Sequence, residues 1–108
     1  MSCYEHTLIA RQDLPESQNK KLIEKYEDII KNNSGKIIKT ENWGLRNLSY
    51  KIKNNRKGFY VHMKFEGDGS TVEKLEQAER IDQKLLRFLT IKVKKHDLEN
   101  NFFEKKEL

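Results

Sequence analysis

The chain has 108 residues, enough for one domain with one hydrophobic core. Only 35% of its residues are apolar, 36% are charged and the net charge is +5, so most side chains must face water or a charged partner. There is no apolar run of ~18 residues, no basic and apolar leader, and only one cysteine, so we expect a protein of the reducing cytoplasm without membrane association.

The first third of the chain predicts a strand followed by a helix. The β-branched and aromatic run 4–10 is typical of a strand. We expect Asp13 to cap the helix and Pro15 to lie in its first turn, after which apolar residues recur at helical spacing between 22 and 30. Gly35 ends this helix, and it is expected to take the left-handed conformation of a C-terminal cap.

A long strand and a hairpin follow. Residues 36–53 predict the second strand, in which Gly44 indicates a bulge or bend. The polar run 54–58 predicts the hairpin loop. Residues 59–66 then predict a third strand, whose apolar positions 61, 63 and 65 share one face.

The remainder predicts a second helix and a fourth strand. Ser70 or Thr71 is expected to cap the helix. Residues 86–95 alternate between apolar and polar side chains, as a half-buried strand does. We take residues 1–95 as one domain and residues 96–108 as a polar C-terminal tail.

The order β-α-β-β-α-β predicts an α+β, ferredoxin-like fold, a four-stranded antiparallel sheet with both helices on one face. The other face stays open, and strand alternation assigns polar residues to it, although a slip of one residue would invert the assignment. We expect Tyr50 to be buried. The residues assigned to the open face are Ser49, Lys51, Lys53, Tyr60, His62, Lys64, Thr90, Lys92 and Lys94.

Catalytic and metal-binding patterns do not stand out in the sequence. Cys3 is alone, and the three histidines lack a spaced carboxylate or second histidine. Gly67 and Gly69 lack the third glycine and the following lysine of a phosphate loop, so they are interpreted as a tight turn. We therefore expect no enzymatic activity, no cofactor and no small-molecule substrate.

Positive charge is concentrated between residues 36 and 65, where eight Lys/Arg and one acid, Glu41, give a net charge of +7. Basic residues interleaved with aromatic ones are typical of surfaces that neutralise RNA phosphates and stack on unpaired bases. We expect these cations and those of the fourth strand to form one positive field. The predicted contacts are Arg46, Lys51, Lys53, Arg56, Lys57, Lys64, Lys92 and Lys94.

Five short motifs are distributed along residues 4–95. They are Tyr4 with Glu5; Gly35; the run Trp43, Gly44, Arg46, Leu48, Tyr50 and Ile52; Gly58 with Tyr60; and the run Leu86, Arg87, Phe88, Leu89, Thr90 and Lys92. In this order and spacing they resemble bacterial small-subunit ribosomal protein six. Many members of that family have a proline where Lys51 stands, a departure that adds a positive charge here.

The resemblance implies a structural constituent of the small ribosomal subunit, in the cytoplasm, with a ferredoxin-like fold. It implies binding to the central domain of small-subunit ribosomal RNA, together with small-subunit ribosomal protein eighteen. Carried onto the matched positions, it implies RNA contacts at Arg46 and Arg87, with Lys92 as a weaker third. Arg80 and Lys84, near the end of the second helix, are further candidates by position.

Other hypotheses share the same topology. Residues 57–61 resemble part of an RNA-recognition motif, but Tyr60 stands where a small residue is expected and Val61 where an aromatic one is. An acylphosphatase-like enzyme would hold phosphate near Arg11, but that loop lacks glycines and Asp13 would repel an anion. A regulatory homodimer formed through the open sheet is a third alternative.

Overall fold

Six elements make up residues 1–96, the part of the chain that the computed structural model describes. They are β1 (Ser2–Arg11), α1 (Glu16–Asn32), β2 (Lys36–Ile52), β3 (Asn55–Gly67), α2 (Gly69–Arg80) and β4 (Leu85–Val93). The strands form one antiparallel sheet in the order β2-β3-β1-β4, which confirms the predicted ferredoxin-like fold. Apart from His96, the predicted polar tail lies outside the described residues.

The hydrophobic core lies between one face of the sheet and the two helices. The apolar alternation predicted for the third strand is confirmed, because residues 61, 63 and 65 are fully buried. The core includes Leu8, Val61, Met63 and Phe65 of the sheet and Leu22, Tyr26, Ile30 and Leu75 of the helices. Neither helix of the described chain is long and apolar enough to cross a bilayer.

Both helices begin differently from the sequence prediction. Asp13 does not cap α1, since its carboxylate accepts a hydrogen bond from the Arg11 guanidinium at 2.8 Å instead. The cap of α2 is Asp68, whose carboxylate accepts from the backbone N–H groups of Ser70 and Thr71 at 2.9 and 3.1 Å. The Asp68 N–H donates in turn to the Thr71 hydroxyl, so that two donors are satisfied reciprocally.

Gly35 follows α1 for a reason other than the predicted left-handed conformation. Ser34 takes the positive φ of 66°. A Cβ atom at position 35 would lie 2.5 Å from Cγ2 and 2.6 Å from the carbonyl oxygen of Ile30. The Gly35 N–H donates to that same oxygen at 2.9 Å. Glycine is therefore required at this position because the chain turns directly against the end of its own helix.

The long second strand bends, and its hairpin is tighter than predicted. The register with β3 shifts between Asn42 and Gly44, and the φ of Gly44 is +72°, which confirms the predicted bulge. Lys53 and Asn54 form a two-residue turn with φ values of 48° and 66°. Positive φ at both central residues suits the right-handed twist of a hairpin. Residues 55–58, predicted as loop, therefore belong to β3.

One strand presents the opposite face from the one predicted. Thr90 pairs with His6 of β1. The His6 ring is hydrogen-bonded to Glu79 of α2 at 2.5 Å and to the Thr90 hydroxyl at 2.6 Å. The side chain of Thr90 therefore points toward the helices, and Lys92 shares that face by alternation. The prediction that both lie on the open face is wrong, and Leu89 occupies it instead. Apolar alternation alone does not tell which side of an edge strand is covered.

Candidate nucleic-acid interface

Cationic side chains gather at the end of the sheet that carries the β2–β3 hairpin. Arg11 of β1 and Arg46 of β2 both lie opposite Gly58 of β3, and Arg87 of β4 lies opposite Ile9. Three strands therefore place an arginine at one end of the open face. We call the cations at this end the basic rim, which consists of Arg11, Arg46, Lys51, Lys53, Arg56, Lys57 and Arg87.

An aromatic side chain from the hairpin contacts this rim. The Arg87 guanidinium lies 5.4 Å from the centroid of the Tyr50 ring, within the range of a cation–π interaction. Tyr50 is 60% exposed, so the prediction that it is buried is wrong. On the same face, Nε of Arg46 donates to the Trp43 carbonyl at 3.2 Å. The rim thus combines charge with an accessible ring that can stack on an unpaired base.

Six of the nine sequence-predicted RNA contacts lie in the basic rim, and three do not. Lys92 lies opposite Tyr4, at the other end of β4, and Lys94 follows that strand. Lys94 is seven positions after Arg87, about 23 Å along an extended strand. Lys64 is only 1% exposed, and its ammonium group donates to Glu41 at 3.0 Å. The cations that were expected to form one positive field are therefore divided between the basic rim and other parts of the described structure.

One member of the rim was missed by sequence reasoning. The sequence indicates Arg11 only as the anion-holding residue of the acylphosphatase-like alternative. Arg11 lies at the end of the first strand, and an antiparallel strand that leaves the β2–β3 hairpin would pass beside it. This position is the one sequence signal that Arg11 adjoins the basic hairpin. Recognising this required the pairing of Arg11 with Gly58, which the sequence alone does not supply.

The buried Lys64 belongs to a polar cluster on the open face, beneath Trp43. The Trp43 ring stacks on His62 at a centroid distance of 5.5 Å, and its Nε1 donates to Glu41 at 3.0 Å. His62 is bonded in turn to Glu5 at 3.0 Å. This cluster explains why polar residues of β3 are buried on a face that no helix covers.

The protonation of this cluster follows from its burial and its hydrogen bonds. Burial lowers the pKa of His62 and so favours the neutral imidazole, although the nearby Glu5 carboxylate acts in the opposite direction. Burial opposes ionisation of Glu41, but hydrogen bonds from Trp43 and Lys64 outweigh it and hold the Glu41 pKa below its usual value. The charge of Lys64 is thus neutralised within the protein.

The same cluster bears on the RNA-recognition-motif hypothesis. That motif presents aromatic rings of the central strands to RNA bases. Here Trp43 stacks on both central rings of the open face, Tyr60 at 6.1 Å and His62 at 5.5 Å. Base stacking on these two rings would therefore require Trp43 to move. An unpaired base would therefore reach Tyr50, at the rim, more easily than the rings in the middle of the sheet.

An apolar surface adjoins the basic rim on β4. Leu89 and Ile91 face away from the helices and are 60% and 47% exposed. A shallow groove of about 370 Å³ runs beside them, lined by Thr7, Ile9, Arg87, Phe88 and Leu89. Exposed apolar side chains next to charged ones are typical of a protein-binding surface. Within residues 1–96, no group of three His, Cys, Asp or Glu side chains is arranged to hold a metal ion.

Comparison with known proteins places the chain in one family. The family model for Ribosomal protein S6 matches residues 3–92. The small ribosomal subunit protein bS6 of Pelagibacter ubique (strain HTCC1062) is 51% identical over 107 residues, 99% of this chain and 88% of that protein. The bS6 protein of Bartonella bacilliformis is 40% identical over 101 residues, 94% of this chain and 74% of that protein.

A solved structure extends this similarity to three dimensions. The crystal structure of 30S ribosomal protein S6 from Thermotoga maritima matches with a TM-score of 0.81 and 31% identity, covering 98% of this chain and 94% of that one. Sequence and structure thus confirm the resemblance seen in the motifs. The chain belongs to the ribosomal protein S6 family, and is a structural protein of the small ribosomal subunit in the cytoplasm and not an enzyme.

Proposed function

We propose that this protein binds the central domain of small-subunit ribosomal RNA together with small-subunit ribosomal protein eighteen. The observation that carries the proposal is the convergence of Arg11, Arg46 and Arg87 from three strands at one end of the sheet. Neutralisation of phosphates by such side chains releases counterions and supplies affinity that does not depend on sequence. Tyr50, beside Arg87, adds a ring for an unpaired base.

The partner protein is assigned to the apolar side of β4. Leu89 and Ile91 are exposed on the same sheet face as Arg87, and Arg87 itself lines the adjoining groove. A protein bound there would bury these side chains and stand directly beside the rim. The two proteins would then present one joint surface to RNA, so each would strengthen the binding of the other.

A salt titration tests the joint surface. Affinity for a central-domain RNA fragment is measured at rising salt concentration, with and without protein eighteen. We expect weak, salt-sensitive binding by this protein alone, because its contacts are mainly to phosphates. Addition of the partner should raise the affinity. Salt-independent binding, or no gain from the partner, would contradict the proposal.

A pair of double variants tests the rim itself. Replacing both Arg46 and Arg87 by alanine should weaken assembly by about 1–3 kcal/mol for each lost contact and leave the fold intact. The matched control replaces Lys92 and Lys94, which carry the same charge at the other end of β4. Assembly with RNA and partner is measured by gel shift, and folding by circular dichroism. Unchanged assembly in the arginine variant would show that these contacts are wrongly assigned.

A further inference from the structure

An open pocket of about 360 Å³ lies at the hairpin end of the sheet, lined by three separate segments. The end of β1 contributes Arg11, the hairpin contributes Lys53 and Asn55, and the connection between α2 and β4 contributes Gln83 and Leu86. Two of these lining side chains are cationic, two are amides and one is aliphatic; none is acidic. This composition favours an anionic ligand with polar oxygens.

Hydrogen bonds hold the walls of the pocket in place. The Asn55 carboxamide donates to the Lys53 carbonyl at 3.0 Å and accepts from the Gln12 N–H at 3.2 Å, which joins the hairpin to the β1–α1 loop. The Arg11 N–H donates to the Lys84 carbonyl at 2.9 Å, which joins β1 to the α2–β4 connection. Asn55 is 9% exposed, so its bonds are shielded from water. The backbone around the site is thus organised before a ligand arrives.

Two acids adjoin the pocket residues in sequence, Asp13 after Arg11 and Asp82 before Gln83. Asp13, whose charge opposes an anion in the β1–α1 loop, pairs with Arg11 at 2.8 Å. The two side chains are 58% and 45% exposed, so the pair is weak and a phosphate can displace the Asp13 carboxylate from the guanidinium. Asp82 accepts from the Tyr26 hydroxyl at 2.5 Å and from Lys25 at 3.4 Å, contacts that hold it toward α1. The contacts of Asp13 and Asp82 do not involve Lys53, so these two acids leave its positive charge in the pocket.

We infer that this pocket seats one phosphate group of an RNA backbone, an inference that rests on the proposed RNA binding. The guanidinium of Arg11 offers parallel N–H donors to the two free oxygens of a phosphodiester, and the Lys53 ammonium adds a second charge. The amide of Gln83 is exposed and supplies a neutral donor. The polymer is favoured over a free anion because the basic rim continues from the pocket along Arg56 and Lys57.

The test replaces both Arg11 and Lys53 by glutamine, which keeps a polar, unbranched side chain and removes two charges. The matched control replaces Lys21 and Lys74, two exposed lysines on the outer faces of α1 and α2. Binding to the central-domain RNA fragment is measured with protein eighteen present, over a range of salt. We expect about tenfold weaker binding from the pocket variant. The negative slope of log affinity against log salt should become shallower by about 0.7–0.9, the change for one phosphate contact.

The control should change neither affinity nor slope by a comparable amount. Unchanged binding by the pocket variant, while the double alanine variant of Arg46 and Arg87 still weakens it, would overturn the pocket assignment and leave the proposed function standing. Equal losses in the pocket variant and the lysine control would also overturn it, since they would report net charge alone. Failure of the unaltered protein to bind RNA at all would instead overturn the proposed function.

A second measurement distinguishes the polymer from a free anion. Inorganic phosphate is titrated into the labelled protein, and the backbone amide signals of Arg11 and Lys53 are followed by NMR. Weak or no saturation by phosphate, with strong perturbation by the RNA fragment, supports the backbone assignment. Saturation by phosphate at concentrations as low as those needed for RNA would overturn it in favour of a free-anion site.

Discussion

Lys64 shows how the partner of a single side chain determines its role. By alternation it belongs to the open face, where a lysine ordinarily meets water or phosphate. Instead its ammonium group lies against Glu41, and it is 1% exposed. One sequence signal was available, because Glu41 is the single acid among the eight cations between residues 36 and 65. The pairing itself depends on a bulged register, which alternation cannot predict.

Replacing Glu41 by glutamine should destabilise the protein by about 3 kcal/mol at neutral pH, since it removes the charge that compensates a buried ammonium group. Chemical denaturation measures this change in the free energy of unfolding. The control replaces Glu24, an exposed acid on α1, and should stay within about 0.5 kcal/mol of the unaltered protein. Similar values for the two variants would show that the Glu41 and Lys64 pair contributes little.

The same residue sets a pH dependence with a definite sign. The pKa of Glu41 is held below the usual value of 4.5, so the folded state binds fewer protons there than the unfolded state. Its contribution is fully present above pH 4.5 and is lost as the pH falls through the folded-state pKa. The stability gap between the unaltered protein and the glutamine variant should therefore narrow as the pH falls below 4.5. A gap that stays constant or widens on acidification would contradict this assignment.

At the scale of elements, the order and type of all six were predictable because each carries its own periodicity. Alternation at residues 61, 63 and 65 gave the third strand and its buried face. Local backbone chemistry was less predictable: the two positive φ angles of the hairpin fall on Lys53 and Asn54, and the cap of α2 falls on Asp68. The prediction placed the wrong face of β4 toward the helices. The orientation of β4 follows the hydrogen bond between His6 and Thr90, a contact between neighbouring strands that the sequence does not reveal.

Substitutions at two glycines test whether a side chain is sterically excluded at Gly35. Alanine at Gly35 would place Cβ 2.6 Å from a backbone oxygen of Ile30, and it should destabilise the protein by about 1–3 kcal/mol. Alanine at Gly69, the first residue of α2, meets nothing within 4 Å. It should leave stability unchanged or raise it by about 0.4–1 kcal/mol. Thermal unfolding of both variants measures the difference, and equal effects would contradict the close approach at Gly35.

At the scale of the whole molecule, charge and apolar surface occupy adjoining parts of the open side. The basic rim lies at the hairpin end, and the exposed apolar residues of β4 continue from Arg87 toward the other end. The sequence predicted an RNA-binding protein with a positive field. It did not predict this division, because both the rim and the apolar strip are assembled from strands that are distant in sequence.

The division predicts that the two proposed binding activities, to RNA and to protein eighteen, can be separated. Replacing Leu89 by serine should weaken association with protein eighteen by about 1–2 kcal/mol, because an apolar contact is lost. It should leave salt-dependent RNA binding without the partner unchanged. The control replaces Ile81, which is 83% exposed and lies between α2 and β4. Calorimetry with the partner measures the effect, and a loss of equal size in the control would exclude the β4 face.

Trp43 is the only tryptophan of the chain, and it lies over His62 with its indole N–H directed to Glu41. Its surroundings change from ring faces and a carboxylate to bulk water whenever the middle of the open face loosens. Indole emission shifts to longer wavelength on that transfer. The protein therefore carries a built-in optical reporter close to the rim, through Arg46, and unfolding or complex formation can be followed by intrinsic fluorescence without a dye.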